Sequence, residues 1–224
     1  MMKKILSILI LALLSSHVFA QDILEYETRT FSPYWYTGIN VGSNLYMAEG
    51  NDFLSGNDGV RFSLRDNSGT TIRATFGRRF TPVIGVRGYA GYSSYKWLSA
   101  YHHNPVVTFG SEFITADLTI SLINMLEENY SLKRYDLGLF LGTGLQLRNE
   151  ITSPAVAASN SSLTPVGRLG LEASFLLTNY LGLSFGGELN FVNDNNNGMV
   201  AGRNYEFIPA FSVGLNYQLK AGKK

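Results

Sequence analysis

The sequence predicts an all-β chain that folds as an eight-stranded antiparallel up-and-down barrel, and three observations lead to this prediction. Apolar and polar residues alternate along eight segments, as they do when successive side chains of a strand point to opposite faces. The connections between the segments alternate between short and long. One face of each segment is rich in Leu, Ile, Val and Phe, and no further element is available to cover it.

The first four segments each have an apolar and a polar face. They span 34–46, 70–80, 83–97 and 109–123. Their apolar faces carry, in order, Ile39 and Val41, Ile72 and Phe76, Ile84 and Val86, and Leu118 and Ile120. Most exceed the roughly 9 to 11 tilted residues with which a strand crosses a bilayer.

The last four segments span 135–148, 164–177, 181–192 and 204–220, and the first of them shows the clearest alternation. It places Leu137, Leu139, Leu141, Leu145 and Leu147 on one face, opposite small and charged residues. The apolar faces of the other three carry Leu169 and Leu171, Phe185 and Leu189, and Val213 and Leu215.

The connections predict which end of the barrel is which. Short ones follow the second, fourth and sixth segments, at 81–82, 124–132 and 178–180, whereas long polar ones lie at 47–69, 98–108, 149–163 and 193–203. Short turns on the side of both termini and long loops opposite are typical of an outer-membrane barrel. A further alternating stretch, 60–64, is interpreted as an extension or small hairpin within the first long loop.

The first twenty residues predict a cleaved secretory signal peptide. Lys3 and Lys4 precede an apolar run over 5–14, which is half the length of a membrane-spanning helix, and 18–20 has the small residues of a cleavage site. We therefore expect a signal peptide over 1–20, a periplasmic segment over 21–32, a transmembrane barrel over 33–220 and a tail over 221–224.

Composition excludes some classes of partner and cross-link. The chain has 18 Lys and Arg against 17 Asp and Glu, and removal of Lys3 and Lys4 leaves 16 basic residues and a formal net charge of −1. Such a balance gives no electrostatic reason to expect nucleic acid as a partner. Because the chain has no cysteine, it can form neither a disulfide nor a lipid-modified N-terminal cysteine.

Alternation alone leaves open whether the apolar face points inwards, as in a soluble lipocalin-like barrel, or outwards into lipid. The glycine-rich polar face and a charged fraction of only 16% favour the second arrangement. The lumen would then hold five basic and five acidic side chains, interpreted as a salt-bridged plug or alternatively as a gate: Arg73, Arg79, Arg87, Asp117, Asp136, Arg148, Arg168, Glu172, Glu188 and Glu206.

Aromatic residues gather near the segment ends and predict two girdles at the membrane interfaces. The girdle at the short-turn end is expected to contain Trp35, Phe80, Tyr130, Tyr135, Tyr180 and Tyr217. The girdle at the loop end is expected to contain Tyr92, Tyr95, Trp97, Phe109, Phe191 and Tyr205.

Three blocks of sequence carry a resemblance to a known family. They are 35–42 (WYTGINVG), 80–88 (FTPVIGVRG), and 116–126 taken together with 136–144. The chain resembles the eight-stranded outer-membrane barrels of the OmpA–OmpX type and, more narrowly, the barrel-only outer-membrane proteins of Bacteroidetes. The resemblance implies a porin-family barrel in the outer membrane of a Gram-negative bacterium. Many members of the wider group have a periplasmic peptidoglycan-binding domain, which we do not expect here, and the last predicted strand ends in 217–220 (YQLK) rather than in a terminal Phe.

Candidate chemistry is sparse, and we expect no catalytic residue, metal or cofactor. His102 and His103 are the only histidines after the signal peptide, and no spacing links them to Ser93, Ser94, Ser111 or Glu112 as an active site. The stretch 193–198 (NDNNNG) lacks the closing Glu of a calcium loop.

Two classes of function follow, and a third is more distant. The first is a structural or interaction barrel that contacts lipopolysaccharide and phospholipid and displays loops to extracellular partners. The second is a small porin-like channel for ions or small solutes. The third is a barrel enzyme that hydrolyses lipid or peptide, which would depend on His102 and His103. A closed barrel needs no partner to cover a sheet edge, so we expect a monomer.

Overall fold

The computed structural model describes residues 31–46, 67–98, 106–126, 133–149, 151–153, 156–159, 161–193 and 205–219. In these residues the chain forms a closed, all-antiparallel barrel of eight strands, which confirms the predicted fold class. The signal peptide, the stretch 60–64 and the tail 221–224 lie outside the described residues, so the domain bounds stay predictions. No helix in the described part of the chain has the length and apolar character needed to cross a membrane.

Eight long strands form the wall, and two short strands form a separate hairpin. The elements are β1 Tyr34–Leu45, β2 Ser68–Arg79, β3 Ile84–Leu98, β4 Val106–Ser121, α1 Leu122–Leu126, β5 Tyr135–Arg148, β6 Ile151–Ser153, β7 Val156–Ser159, β8 Ser162–Leu176, β9 Leu181–Asn193 and β10 Tyr205–Gln218. Each wall strand pairs with its neighbour in the chain order, apart from the β6–β7 hairpin between β5 and β8.

The barrel closes where the first strand pairs with the last. Tyr36 of β1 lies opposite Gln218 of β10, and the register continues to Asn44 opposite Ala210. On its other side β1 pairs with β2 over its whole length. Ring closure therefore removes the free sheet edge that would otherwise offer unpaired backbone groups to lipid or to another chain.

The two faces of the wall are arranged as the alternation predicts. Apolar side chains are exposed on the outside of every wall strand, among them Ile39, Phe76, Ile114, Leu141 and Phe211. The alternate positions point into the lumen, where the buried side chains are largely polar or charged. This inside-out distribution favours a barrel with lipid around it over a soluble barrel with an apolar interior.

Two of the short turns use the same threonine-based geometry. In the β2–β3 turn, Ile84 N–H donates to Thr81 Oγ1 at 2.8 Å, while Thr81 N–H donates to the carbonyl of Ile84 at 3.2 Å. In the β8–β9 turn, Leu181 and Thr178 make the corresponding contacts at 3.0 and 3.1 Å. A hydroxyl that accepts a hydrogen bond from a nearby N–H stabilises a tight reversal of the chain.

The connection between β4 and β5 differs from the prediction of a strand that continues to residue 123. The strand ends at Ser121, whose Oγ accepts a hydrogen bond from Asn124 N–H at 3.1 Å and so caps the short helix α1. The connection is therefore 122–134, and it is longer than the predicted turn.

Two of the predicted long loops also differ from their expected form. Because β3 runs to Leu98 and β4 starts at Val106, the second loop is reduced to residues 99–105. The third loop contains the β6–β7 hairpin, which the sequence analysis did not predict. Asn149 N–H donates to the Gly110 carbonyl at 2.9 Å and ties the start of this loop to β4.

The stability lost when a charge is placed at different depths on the outer face tests the membrane-facing belt. Leu141, at the centre of β5, and Leu163, at the loop end of β8, are about equally exposed, at 61% and 63%. We expect Leu141→Arg to lower the free energy of unfolding by about 2–4 kcal/mol and Leu163→Arg by about 0–1 kcal/mol, because the midplane solvates a cation worst. Urea unfolding in phospholipid vesicles, followed by tryptophan fluorescence, measures both. Equal losses at the two sites would contradict a lipid belt centred on Leu141.

Candidate functional site

The centre of the lumen contains a connected network of three arginines and three carboxylates. Glu188 of β9 lies between two of the arginines: Arg73 Nη1 donates to both of its carboxylate oxygens at 2.9 Å, and Arg168 Nη2 donates to Oε2 at 2.5 Å. Arg168 reaches Glu188 from the neighbouring strand β8, whereas Arg73 reaches it across the lumen from β2.

The network continues through Asp117 to a third arginine. Arg168 Nε lies 3.6 Å from Asp117 Oδ1, and Arg87 Nε donates to Oδ2 of the same carboxylate at 3.1 Å. Arg87 Nη1 then donates to Glu172 Oε1 at 2.8 Å. Arg87 and Asp117 lie directly opposite each other on β3 and β4, and Arg168 and Glu188 are on the neighbouring strands β8 and β9. The remaining pairs join strands that are not neighbours and are brought together by the curvature of the closed sheet.

Two aromatic rings pack among the arginines of this network. The guanidinium carbons of Arg73, Arg87 and Arg168 lie 4.4, 4.9 and 4.8 Å from the ring centre of Tyr89. Those of Arg87 and Arg168 also lie 4.4 and 5.4 Å from the ring centre of Phe140. The ring faces add cation–π attraction to the ion pairs and fill the space between the charged groups.

Glycines on the inner face make room for these large groups. A Cβ atom built on Gly142 would lie 2.0 Å from Asp117 Oδ1, and one built on Gly170 would lie 2.4 Å from the Phe140 ring. Any side chain at either position would displace the network. The glycine-rich inner face of the sequence is therefore the counterpart of the bulky charged and aromatic residues opposite it.

A separate ion pair lies nearer the termini. Arg79 Nη2 donates to Asp136 Oδ2 in a close contact, and Ser121 Oγ donates to Asp136 Oδ1 at 2.5 Å. Ser121 is also the residue that caps α1. The pair thus ties the β4–β5 connection to β2 across the end of the lumen.

The loop end of the lumen contains a cluster of buried aromatic and aliphatic side chains. This contiguous cluster, called here the apolar cap, contains Tyr46, Tyr95, Val107, Phe109, Ile151, Val166, Val192 and Ile208. The rings of Tyr46, Tyr95 and Phe109 lie with their centres 5.1–5.5 Å apart. Ile151 belongs to the β6–β7 hairpin, so the third loop contributes to the apolar cap.

The placement of Tyr95 and Phe109 in the girdle at the loop end was wrong. Both side chains point into the lumen and are buried. Tyr95 lies an even number of residues from Tyr89 along β3, and Phe109 an even number from Asp117 along β4, so each is on the inner face of its strand. Tyr92, on the opposite parity, is exposed on the outer face as expected. The alternation along β3 and β4 is enough to place Tyr95 and Phe109 inside the barrel, whereas their position near strand ends led to their assignment to the girdle.

The ten predicted lumen residues divide into three groups. Six form the central network: Arg73, Arg87, Asp117, Arg168, Glu172 and Glu188. Arg79 and Asp136 form the pair near the termini. Arg148 and Glu206 lie in the parts of β5 and β10 nearest the loops, where both are buried and Glu206 accepts a close hydrogen bond from the Tyr46 hydroxyl.

Of the residues considered for chemistry, Ser93 and Ser111 lie opposite each other on the inner faces of β3 and β4. Ser111 points into the lumen and accepts a hydrogen bond from Gln146 Nε2 at 3.0 Å, whereas the neighbouring Glu112 is on the outer face. His102 and His103 lie outside the described residues. Within the described ranges no three His, Cys, Asp or Glu side chains are grouped as a metal site.

Comparison with known proteins identifies the fold. No family model matches the chain, and no curated protein does. Among solved structures, Neisserial surface protein A is 15% identical, and the alignment covers 84% of this chain and all of that one with a TM-score of 0.51. Ail, the attachment invasion locus protein of Yersinia pestis, is 12% identical with the same coverage and TM-score in its complex with a heparin analogue.

These structures define the class of protein to which the fold corresponds. The chain has the closed eight-stranded fold of the OmpA–OmpX type of outer-membrane barrel, which confirms the architecture that the sequence resemblance implied. At 10–15% identity the likeness extends to the fold alone. The narrower resemblance to Bacteroidetes barrels stays a prediction.

The central network makes Glu188 a sensitive position for stability. We expect Glu188→Gln to lower the free energy of unfolding by about 3–5 kcal/mol, because it leaves two buried guanidinium groups without their shared carboxylate. Glu112→Gln is the matched control, since it makes the same change on the outer face of β4 and should cost less than about 1 kcal/mol. Urea unfolding of both variants in the same vesicles measures the difference. A Glu188→Gln loss no larger than the control would show that the network contributes little to the barrel.

Proposed function

We propose that the chain is an outer-membrane protein that acts as a structural and interaction barrel, with a closed lumen and loops displayed at the cell surface. The belt of exposed Leu, Ile, Val and Phe supports the location, because such a surface is stable in lipid and not in water. The predicted signal peptide supplies the export route. Phospholipid and lipopolysaccharide are then its immediate partners, and the proposal includes no enzymatic activity.

The proposal of a closed lumen rests on two barriers that follow one another along the lumen axis. The central network fills the middle of the lumen with six paired charged side chains and the rings of Tyr89 and Phe140. The apolar cap closes the loop end with side chains that are almost entirely inaccessible to solvent. An ion that crosses this path would have to separate buried ion pairs and then enter an apolar layer, and both steps are costly.

The same geometry supports display of the loops. The wall strands hold the ends of the loops in fixed positions, and Ile151 anchors the third loop in the apolar cap. Rigid attachment of variable segments to a stable scaffold is how many binding surfaces are built. We therefore infer that contacts with other surfaces or molecules are made by the connections over 46–67, 99–105, 149–161 and 194–204.

Single-channel recording tests the closed lumen. We expect the refolded chain to give no discrete current steps in a planar bilayer, and Glu188→Gln to stay silent as well, because glutamine occupies nearly the same volume and the apolar cap remains in place. Glu112→Gln serves as the control for unspecific leakage. A heat-dependent shift in electrophoretic mobility shows that each sample is folded. Reproducible steps from the wild type, or steps that appear only with Glu188→Gln, would replace the plug with a pore gated by the network.

Epitope tags test the orientation and the display. A tag inserted between residues 55 and 56, in the connection from β1 to β2, should be labelled by antibody on intact cells. A tag between Thr178 and Asn179, in the β8–β9 turn, is the control and should be labelled only after the outer membrane is permeabilised. The reverse pattern would contradict the proposed orientation, and labelling of neither tag in permeabilised cells would contradict export.

A further inference from the structure

The lumen is not filled evenly along its axis. The apolar cap closes the loop end, but a cavity of about 130 Å³, called here the vestibule, occupies the end near the termini. All eight wall strands contribute to its lining, which includes Arg87 and Glu172 of the central network and the adjacent ring of Phe140. The vestibule therefore ends at the network, and in the orientation proposed above it faces the periplasm.

The charged residues that line the vestibule are predominantly cationic. Among the described residues, four basic side chains line it, namely Arg79, Arg87, Lys133 and Arg134, but only two acidic ones, Asp136 and Glu172. Both carboxylates are already engaged, Asp136 with Arg79 and Glu172 with Arg87. A lining with two more cationic than anionic groups, in a recess with low-dielectric walls, concentrates anions.

Two arginines that line the vestibule have buried hydrogen-bond donors without acceptors in the described part of the chain. Arg87 is only 4% exposed, and although its Nε and Nη1 donate to Asp117 and Glu172, its Nη2 has no acceptor there. Arg134 has two such atoms, Nε and Nη2. Its backbone is fixed by Leu176 N–H, which donates to the Arg134 carbonyl at 2.6 Å. Unsatisfied buried donors are costly, and a ligand that carries acceptors would relieve that cost.

The rest of the lining indicates what such a ligand carries besides its charge. The rings of Phe31, Tyr34, Tyr36 and Phe140 line the same space. A cavity of about 150 Å³ is known to hold a benzene molecule in another protein, so a volume of this order suits one aromatic ring. We propose that the vestibule binds a small aromatic carboxylate, with its carboxylate on Nη2 of Arg87 at the deep end, its ring against the aromatic lining, and the guanidinium group of Arg134 adding positive charge at the mouth.

Fluorine NMR of the full chain in phospholipid nanodiscs tests this site with 4-fluorobenzoate as the probe. The neutral isostere 4-fluorobenzamide controls for partition into apolar surfaces. We expect saturable binding of the benzoate to one site and weaker binding of the benzamide by about tenfold, because only the anion pairs with the guanidinium groups. Equal binding of the two probes, or no saturable binding of the benzoate, would overturn the proposal.

A matched pair of variants assigns the site to the vestibule. Arg134→Gln removes a cation that lines it and should weaken benzoate binding by about tenfold. Arg78→Gln removes a cation at the same end of the barrel but on the outer face, where its guanidinium carbon lies 5.0 Å from the Trp35 ring centre. Arg78→Gln should leave binding unchanged, and equal effects of the two variants would show that only the net charge of the barrel matters.

Arg87→Lys tests the deep end of the site separately from the mouth. Lysine keeps the positive charge that the network requires but lacks the planar fork of donors, so we expect a folded barrel with weaker benzoate binding. If this variant fails to fold, Arg134→Gln decides the question alone. If benzoate does not bind but the bilayer recording is silent, the ligand proposal is overturned and the closed-barrel proposal stands. The two proposals therefore fail independently.

Discussion

Ring closure between β1 and β10 is the constraint on which the rest of the structure depends. Backbone N–H and C=O groups in lipid have no water to bond, so every strand must be paired on both sides. Eight strands closed in this way leave an interior only wide enough for side chains. The outer face can then be uniformly apolar, but the inner face has no such freedom, because each large inward side chain needs space opposite it and each charge needs a partner.

The central network is the way this chain meets that requirement. Three guanidinium groups and three carboxylates share their contacts, so Glu188 and Asp117 each serve two arginines. Burying ions is costly, and the pairing offsets that cost without giving an obvious net gain over an apolar filling. The ion pairs also help to fix the register of the strands. They link β2, β3, β4, β8 and β9 across the lumen and oppose slippage of one strand past the next.

The sequence predicts the wall of this barrel better than its interior. Period-two alternation is a local property, so the strands, their facing and the inward position of residues such as Arg73 and Glu188 could be predicted. The pairing of Arg73 with Glu188 joins residues 115 positions apart, and no local pattern specifies it. The apolar cap was missed for a different reason: Tyr95 and Phe109 were assigned by their position at strand ends, although their parity already placed them inside. The helix α1 also follows from a tertiary cause, since Ser121 both caps it and bonds Asp136.

The uneven filling of the lumen follows from the lengths of its strands. β3 and β4 reach past the network towards the loops, so their inward side chains at Tyr95, Val107 and Phe109 meet beyond it and are buried. At the opposite end the tight threonine turns end the wall soon after Arg79 and Leu176. The same fold therefore seals one end with apolar contacts and leaves polar side chains lining a cavity at the other. In the proposed orientation, such a barrel presents its loops at the cell surface and the vestibule towards the periplasm.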